Sequence, residues 1–288
     1  MSKGWADNEA WGRILAKAES HSGLPLRGWM SDGPEAAVKE QAHAPTIIVS
    51  HSVGIFEAHA HSGMPLPNVA AGHSLGMYSA LAASGAVPLE AALDLVLGVE
   101  SLAADMFGRK GFGMAYLTGI KENDLIRSLR TWPELCIANI NTHAQFTVSG
   151  PRETLENLLA RFGKDCTHHG LLPLKYPLHS PHMLPLLPRL KKLLASVAPG
   201  NMAFPLISHV DGRVMRDGAE AWGEALESIA LPVAWPRVVN RLRNTDCEIF
   251  ECGHGKHLSK MCRWIEREMS VGSLECPSGL SIWKQNAD

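Results

Sequence analysis

Leu66-Pro67-Asn68-Val69-Ala70-Ala71-Gly72-His73-Ser74-Leu75-Gly76-Met77-Tyr78-Ser79-Ala80-Leu81-Ala82-Ala83-Ser84-Gly85 sets a serine between two glycines in the pattern G-x-S-x-G. In a nucleophile elbow the serine sits on a sharp turn between a strand and a helix, and a Cβ at either glycine would crowd that turn. The flanks agree with this reading. Residues 66–71 predict a short buried strand, and a helix starting at Ser74 closes at Ser84-Gly85. The N-terminus of that helix would aim backbone N–H groups and a positive dipole end at the serine oxygen. An ordinary glycine-rich turn is the competing reading of the five residues, and the strand and helix around them favour a nucleophile.

The rest of the chain fits an α/β domain carrying an insert. Ahead of the elbow, 11–18, 34–40 and 46–60 read as helices. Behind it, 88–106 has apolar residues at spacings of three and four, which is a helical stripe. Gly108 to Gly113 breaks the pattern. Strand 114–120, helix 122–131, strands 135–140 and 145–149, helix 151–162 and strand 166–174 follow. That β-α-β-β-α-β order is the order of a ferredoxin-like unit. We therefore expect a main domain of 1–111 and 177–288, with 112–176 as an inserted ferredoxin-like subdomain. In the second half of the main domain, 183–197, 219–226, 235–244 and 257–269 predict helices, and 206–210 and 247–251 predict strands. The polar segment after Ser270 is expected to be loosely held.

Bulk composition excludes several classes. Of the 288 residues 45% are hydrophobic and 19% charged, with a net charge of −2, which describes a globular chain without a polyanion-binding balance. No apolar run is long enough to span a bilayer, and the first residues lack the apolar core of a signal peptide. Six cysteines occur, none in a C-x-x-C pair. Cys247, Cys252, Cys262 and Cys276 lie near His254 and His257 at spacings that match no zinc module. Reduced thiols, a cytoplasmic location and no metal site are the expectations.

A serine hydroxyl needs a base to take its proton, and histidine is the usual one. Among 14 histidines, His179 lies in Leu174-Lys175-Tyr176-Pro177-Leu178-His179-Ser180-Pro181-His182-Met183, a loop leaving the small unit and pinned by two prolines. Spacing alone leaves the other histidines open.

Four stretches carry a resemblance. They are Gly72 to Leu81, which matches G-H-S-L-G-E-Y-S-A-L; Asn139-Ile140-Asn141 followed by Gln145 to Gly150; His179-Ser180-Pro181-His182-Met183; and Pro232-Val233-Ala234-Trp235 with Glu251-Cys252-Gly253-His254-Gly255-Lys256-His257-Leu258. In order and spacing they resemble the malonyl-CoA:acyl carrier protein transacylase family, which includes the acyltransferase domains of fatty acid and polyketide synthesis. The resemblance implies an α/β-hydrolase-like parallel-sheet domain with the ferredoxin-like insert. It implies Ser74 as nucleophile, His179 as base, the Leu75 N–H in the oxyanion hole and the Ser228 carbonyl orienting the histidine. His73, Val99, Tyr176 and Leu178 would line the acyl pocket, with Asn139 and Asn141 in support. Acyl-CoA would be the donor and the phosphopantetheine arm of an acyl carrier protein the acceptor, with no bound cofactor and no nucleic-acid or membrane partner.

Two departures matter. The family's opening G-Q-G-x-Q, whose Gln completes the oxyanion hole, occurs nowhere in the sequence. A truncated chain, a misassigned start and a loss of full activity all account for that. Counting from Ser74 also puts Val99 where malonyl-specific members carry an arginine for the free carboxylate, and the next cation, Arg109, lies in the following loop. A buried carboxylate at an apolar residue goes unpaired, so neutral acyl groups are expected. Met77 in place of Glu and His254 in place of Pro are smaller departures. A thioester hydrolase on the same scaffold, and a non-catalytic member that only docks a carrier protein, are the alternative functions.

Overall fold

The computed structural model describes residues 4–108, 111–245 and 247–277. The chain opens with helices α1 (Glu9–Ser22), α2 (Leu26–Ser31), α3 (Glu35–Lys39) and α4 (Ala44–His61). Asn8 caps α1 by accepting from the Trp11 N–H, and Gly23, in the left-handed region at φ 71°, ends it. Trp11, Leu15 and Ala18 form the buried stripe of α1. This stripe packs on α4, where a Cβ at Gly54 would lie 2.8 Å from a Trp11 ring carbon. Burying such a side chain contributes about 1.5–3 kcal/mol.

Strand β1 (Ala70–Ala71), helix α5 (Gly76–Ser84) and helix α6 (Leu89–Phe107) form the elbow and its support. The insert follows as β2 (Phe112–Thr118), α7 (Glu122–Leu129), β3 (Cys136–Thr142), β4 (Gln145–Pro151), α8 (Arg152–Phe162) and β5 (His168–Leu171). Its sheet has the order β5-β2-β4-β3, antiparallel throughout, over a core that includes Leu117, Phe146, Val148, Leu155 and Leu158. This is the ferredoxin-like arrangement.

After a 3-10 turn (Pro181–Leu186) come α9 (Leu187–Leu193), β6 (Leu206–Ile207), β7 (Val214–Met215), α10 (Gly218–Glu227), a second 3-10 turn (Ser228–Ala230), β8 (Val233–Ala234), α11 (Trp235–Leu242), β9 (Ile249–Glu251), α12 (His257–Ile265) and β10 (Val271–Ser273). β1 pairs in parallel with β6, and β7 closes that sheet; β9 and β10 form a separate parallel pair. A cavity of about 520 Å³ lies between the two pieces, lined on one side by Ala70 and Ala71 and on the other by Phe250 and Cys252.

Several expectations need correction. The strand predicted over 66–71 is only Ala70–Ala71, and both residues are half-buried; Pro65 and Pro67 supply no N–H to a ladder. The elbow helix starts at Gly76, because Ser74 has a left-handed backbone that no helix residue can adopt. The helix expected over 183–197 is a 3-10 turn followed by the short α9, with Pro185 inside the turn and Pro188 at the start of α9. The segment after Ser270, expected to be loose, pairs with β9 through Val271–Ser273. The small sheet also has a fifth member: β8, from the main domain, runs parallel to β3 with Asn139 opposite Val233.

Candidate active site

The elbow brings Ser74 to the end of β1 with φ 50°, and it is one of two non-glycine residues in the left-handed region among those described. The other is His179, at φ 57°. Such backbones cost on the order of 1–3 kcal/mol and persist only where the surroundings over-determine them. Those surroundings are visible at both residues. A Cβ on Gly72 would overlap the backbone of Gly76 and Met77, so only glycine lets the chain close so tightly. The His179 loop is tied on three sides. Its own N–H donates to Ile229 O at 2.7 Å, Ser149 Oγ of β4 donates to Leu178 O at 2.6 Å, and His182 Nε2 donates to Glu134 O at 2.7 Å. The last two anchors belong to the ferredoxin-like unit, so that unit fixes where His179 points.

Ser74 Oγ lies 2.6 Å from His179 Nε2. His179 Nδ1 lies 2.8 Å from Ser228 O and 3.2 Å from Leu231 O. Carbonyls only accept, so Nδ1 carries the proton and the Nε2 lone pair faces the serine hydroxyl. His179 is buried, and burial pushes its pKa below the ordinary 6.5 against the pull of the two carbonyls. The ring is therefore neutral and basic at neutral pH. Among the described residues the Leu75 N–H has no acceptor, and it sits next to Ser74 at the head of α5. Such a donor is where an oxyanion would be received.

The other expected residues fall into place unevenly. His73 Nε2 donates to Asn141 Oδ1 at 2.9 Å, and the His73 ring packs edge-on against Trp235 at 5.3 Å. Burial lowers the His73 pKa to about 4, so it too is neutral. Asn139 Oδ1 is buried without a hydrogen-bond partner among the described residues. Val99 on α6 and Leu178 pack on the main core. Tyr176 does not point to open space: its hydroxyl donates to Glu100 Oε1 at 2.9 Å, and burial raises the Glu100 pKa. Arg109 lies outside the described residues. No cluster of three or more potential metal ligands occurs among the described residues.

Sequence reasoning missed His209. It lies in the β6–β7 turn with Nδ1 donating to Gly72 O at 3.1 Å, and its ring meets that of His179 edge-on at 6.1 Å. Burial, with His179 and His73 adding to it, pushes the His209 pKa to about 3. Nothing in its local sequence distinguishes it from the other histidines; only the fold brings it under the elbow. Gly72 is thus clamped from both sides. Gly72→Ala is expected to open the elbow, lowering stability by about 1–3 kcal/mol and abolishing labelling of Ser74, as thermal denaturation and intact mass would record.

Fold and site define an α/β protein that holds a serine–histidine pair on a nucleophile elbow. Residues 9–234 match the family model described as acyl transferase domain, and the chain belongs to that family of acyltransferases. Among curated relatives, it is 25% identical over 248 residues to the malonyl CoA-acyl carrier protein transacylase of Bacillus subtilis, covering 85% of this chain and 72% of that one. It is 32% identical over 231 residues to the polyketide biosynthesis protein ThaF of Burkholderia thailandensis, covering 79% of this chain but only 18% of that longer protein. The fold matches the crystal structure of an acyl-carrier-protein S-malonyltransferase from Burkholderia pseudomallei with a TM-score of 0.90 at 24% identity, over 98% of this chain and 94% of the other. No described helix is long and apolar enough to cross a membrane.

Proposed function

We propose that this chain moves an acyl group from a coenzyme A thioester to the phosphopantetheine thiol of an acyl carrier protein, through an ester on Ser74. The Ser74–His179–Ser228 chain of hydrogen bonds is the observation that carries this reading. In the first half-reaction Ser74 Oγ attacks the thioester carbonyl while His179 Nε2 takes its proton. The Leu75 N–H receives the oxyanion. The tetrahedral species collapses, and coenzyme A leaves as a thiol with the proton from His179. The carrier's thiol then gives its proton to His179, attacks the acyl-serine and restores the hydroxyl. The Ser228 carbonyl holds the ring in one tautomer and stabilises the imidazolium, the task an acid performs in other serine enzymes.

Neutral acyl groups suit the site best. Val99 offers no charge to a carboxylate, and the Tyr176 hydroxyl is engaged by the acidic Glu100. Intact mass after brief exposure to malonyl-, acetyl- and hexanoyl-CoA tests both parts. An adduct from the neutral donors alone is expected. A malonyl adduct overturns the specificity, rapid loss of the adduct as free acid favours the hydrolase, and no adduct with any donor overturns the transferase.

The same chemistry fixes the pH dependence. His179 must be neutral to accept a proton, and burial depresses its pKa. Acylation is therefore expected to fall on acidification with a midpoint below the ordinary histidine value of 6.5. Initial rates of coenzyme A release against pH would show it, and a midpoint above the ordinary histidine value would contradict it.

A further inference from the structure

His209 is fully buried, and its place is set by a rigid turn between β6 and β7. The Ser208 N–H donates to Arg213 O at 2.9 Å and the Gly212 N–H to Ser208 O at 3.0 Å. Ser208 Oγ accepts from the N–H groups of Val210 and Asp211 at 3.1 Å each. From β8 the Ala234 N–H donates to His209 O at 2.7 Å. Just before the turn, β6 runs beside β1 in fixed register, with Ala71 opposite Ile207. The backbone therefore leaves the ring little choice of position.

The ring sits there at a cost. Its Nδ1–H is given to Gly72 O, so Nε2 of the neutral imidazole is a lone pair. That nitrogen is buried without a hydrogen-bond partner among the described residues. A buried acceptor with no donor is unfavourable, and an apolar side chain in its place would avoid the penalty. Two contacts answer for the histidine. The first reaches Gly72, two residues ahead of the nucleophile. Helix bonds hold the far side of the elbow, Gly76 N–H to His73 O and Met77 N–H to Ser74 O at 2.9 Å each. His209 holds the near side, at the carbonyl where the chain leaves β1. A left-handed backbone such as that of Ser74 persists only while its surroundings fix it. The second contact is the edge-on meeting with the His179 ring. One imidazole thus braces both members of a pair whose reacting atoms are 2.6 Å apart.

We infer that His209 is a positioning residue for the proposed reaction: its Nδ1–H on Gly72 O and its ring against His179 together hold Ser74 Oγ within reach of His179 Nε2. It acts through those two residues and takes no proton itself. The inference rests on the acyl-transfer reading for the reaction that it serves.

Three variants test it. Asparagine and leucine have nearly the same shape, and the asparagine Nδ2 stands at the branch that Nδ1 occupies in histidine. Glutamine carries its amide nitrogen one bond further out. The readout is single-turnover acylation of Ser74 by acetyl-CoA, counted per folded molecule from a melting curve. His209→Leu should be slowed about 100-fold, the scale of a misplaced reacting group, with half-saturation by acetyl-CoA unchanged within about twofold. His209→Asn should recover to within about tenfold of the unmodified protein, and His209→Gln should stay with His209→Leu. A purely structural role would lower the melting temperature and leave the rate per folded molecule alone. In the unmodified protein, 15N NMR should show the Nδ1–H tautomer of His209 at neutral pH. An Nε2–H tautomer overturns the proposal. So does His209→Leu acylating within about threefold of the unmodified protein, equal losses in His209→Asn and His209→Leu, or a loss confined to half-saturation. If acetyl-CoA never acylates the unmodified protein, the acyl-transfer reading fails by itself. Labelling of Ser74 by phenylmethylsulfonyl fluoride, which needs an activated serine and no coenzyme A, then ranks the same variants. A Ser74 inert to that reagent too would leave no nucleophile to position, and would overturn the inference as well.

Discussion

Ser74→Ala is expected to form no covalent adduct with any acyl-CoA and to lower transfer by about five to six powers of ten, the scale on which removing the serine of a serine enzyme acts. Alanine keeps the Cβ and the left-handed backbone at φ 50°, so the elbow stays shut and only Oγ is lost. No other hydroxyl can replace it, because the hydrogen bond at His179 Nε2 comes from Ser74 alone among the described residues. Folding should change by about 1 kcal/mol, since one buried acceptor loses its donor. Intact mass and a melting curve therefore separate lost chemistry from lost structure. Transfer within tenfold of the unmodified protein would show that Ser74 is not the nucleophile.

His179→Ala should cost about four to six powers of ten in coenzyme A release, and it should also weaken the fold. In the proposed reaction the ring takes the serine proton, and its Nδ1–H serves the carbonyls of Ser228 and Leu231. Stranding buried acceptors costs about 1–3 kcal/mol, to be read from urea unfolding. His179→Gln separates the two effects, because an amide can donate to a carbonyl but cannot act as a base. Recovered stability without recovered rate is the expected result. Recovered rate would mean that another group takes the proton, such as His209, whose ring centre lies 6.1 Å from that of His179.

What the sequence revealed tracks how local each feature is. The elbow is legible because strain confines its glycines and serine to five consecutive residues. The order of strands and helices in the insert is legible because each element carries its own period. The proposed base is not local: 105 residues separate His179 from Ser74, and only resemblance to a family picked it from the other histidines. His209 gains its place beside the site by packing alone, which no spacing encodes. Element ends were misread where proline removes a donor, as at Pro67 and Pro185, and β10 went unseen because a two-stranded edge needs little apolar alternation.

The hydrogen-bond chain from Ser74 through His179 to Ser228 spans sequence separations of 105 and 49 residues. Contacts so distant close late in folding, because the loop entropy between their ends has to be overcome first. The pair also depends on the ferredoxin-like unit being seated on the main domain, since Ser149 and Glu134 hold the loop of the base. Under the proposed mechanism, catalysis is thus a report on complete assembly of the chain. A fragment carrying the elbow alone would lack the group proposed to deprotonate Ser74, and partial opening between the two units would silence the proposed reaction while leaving most of the helices intact.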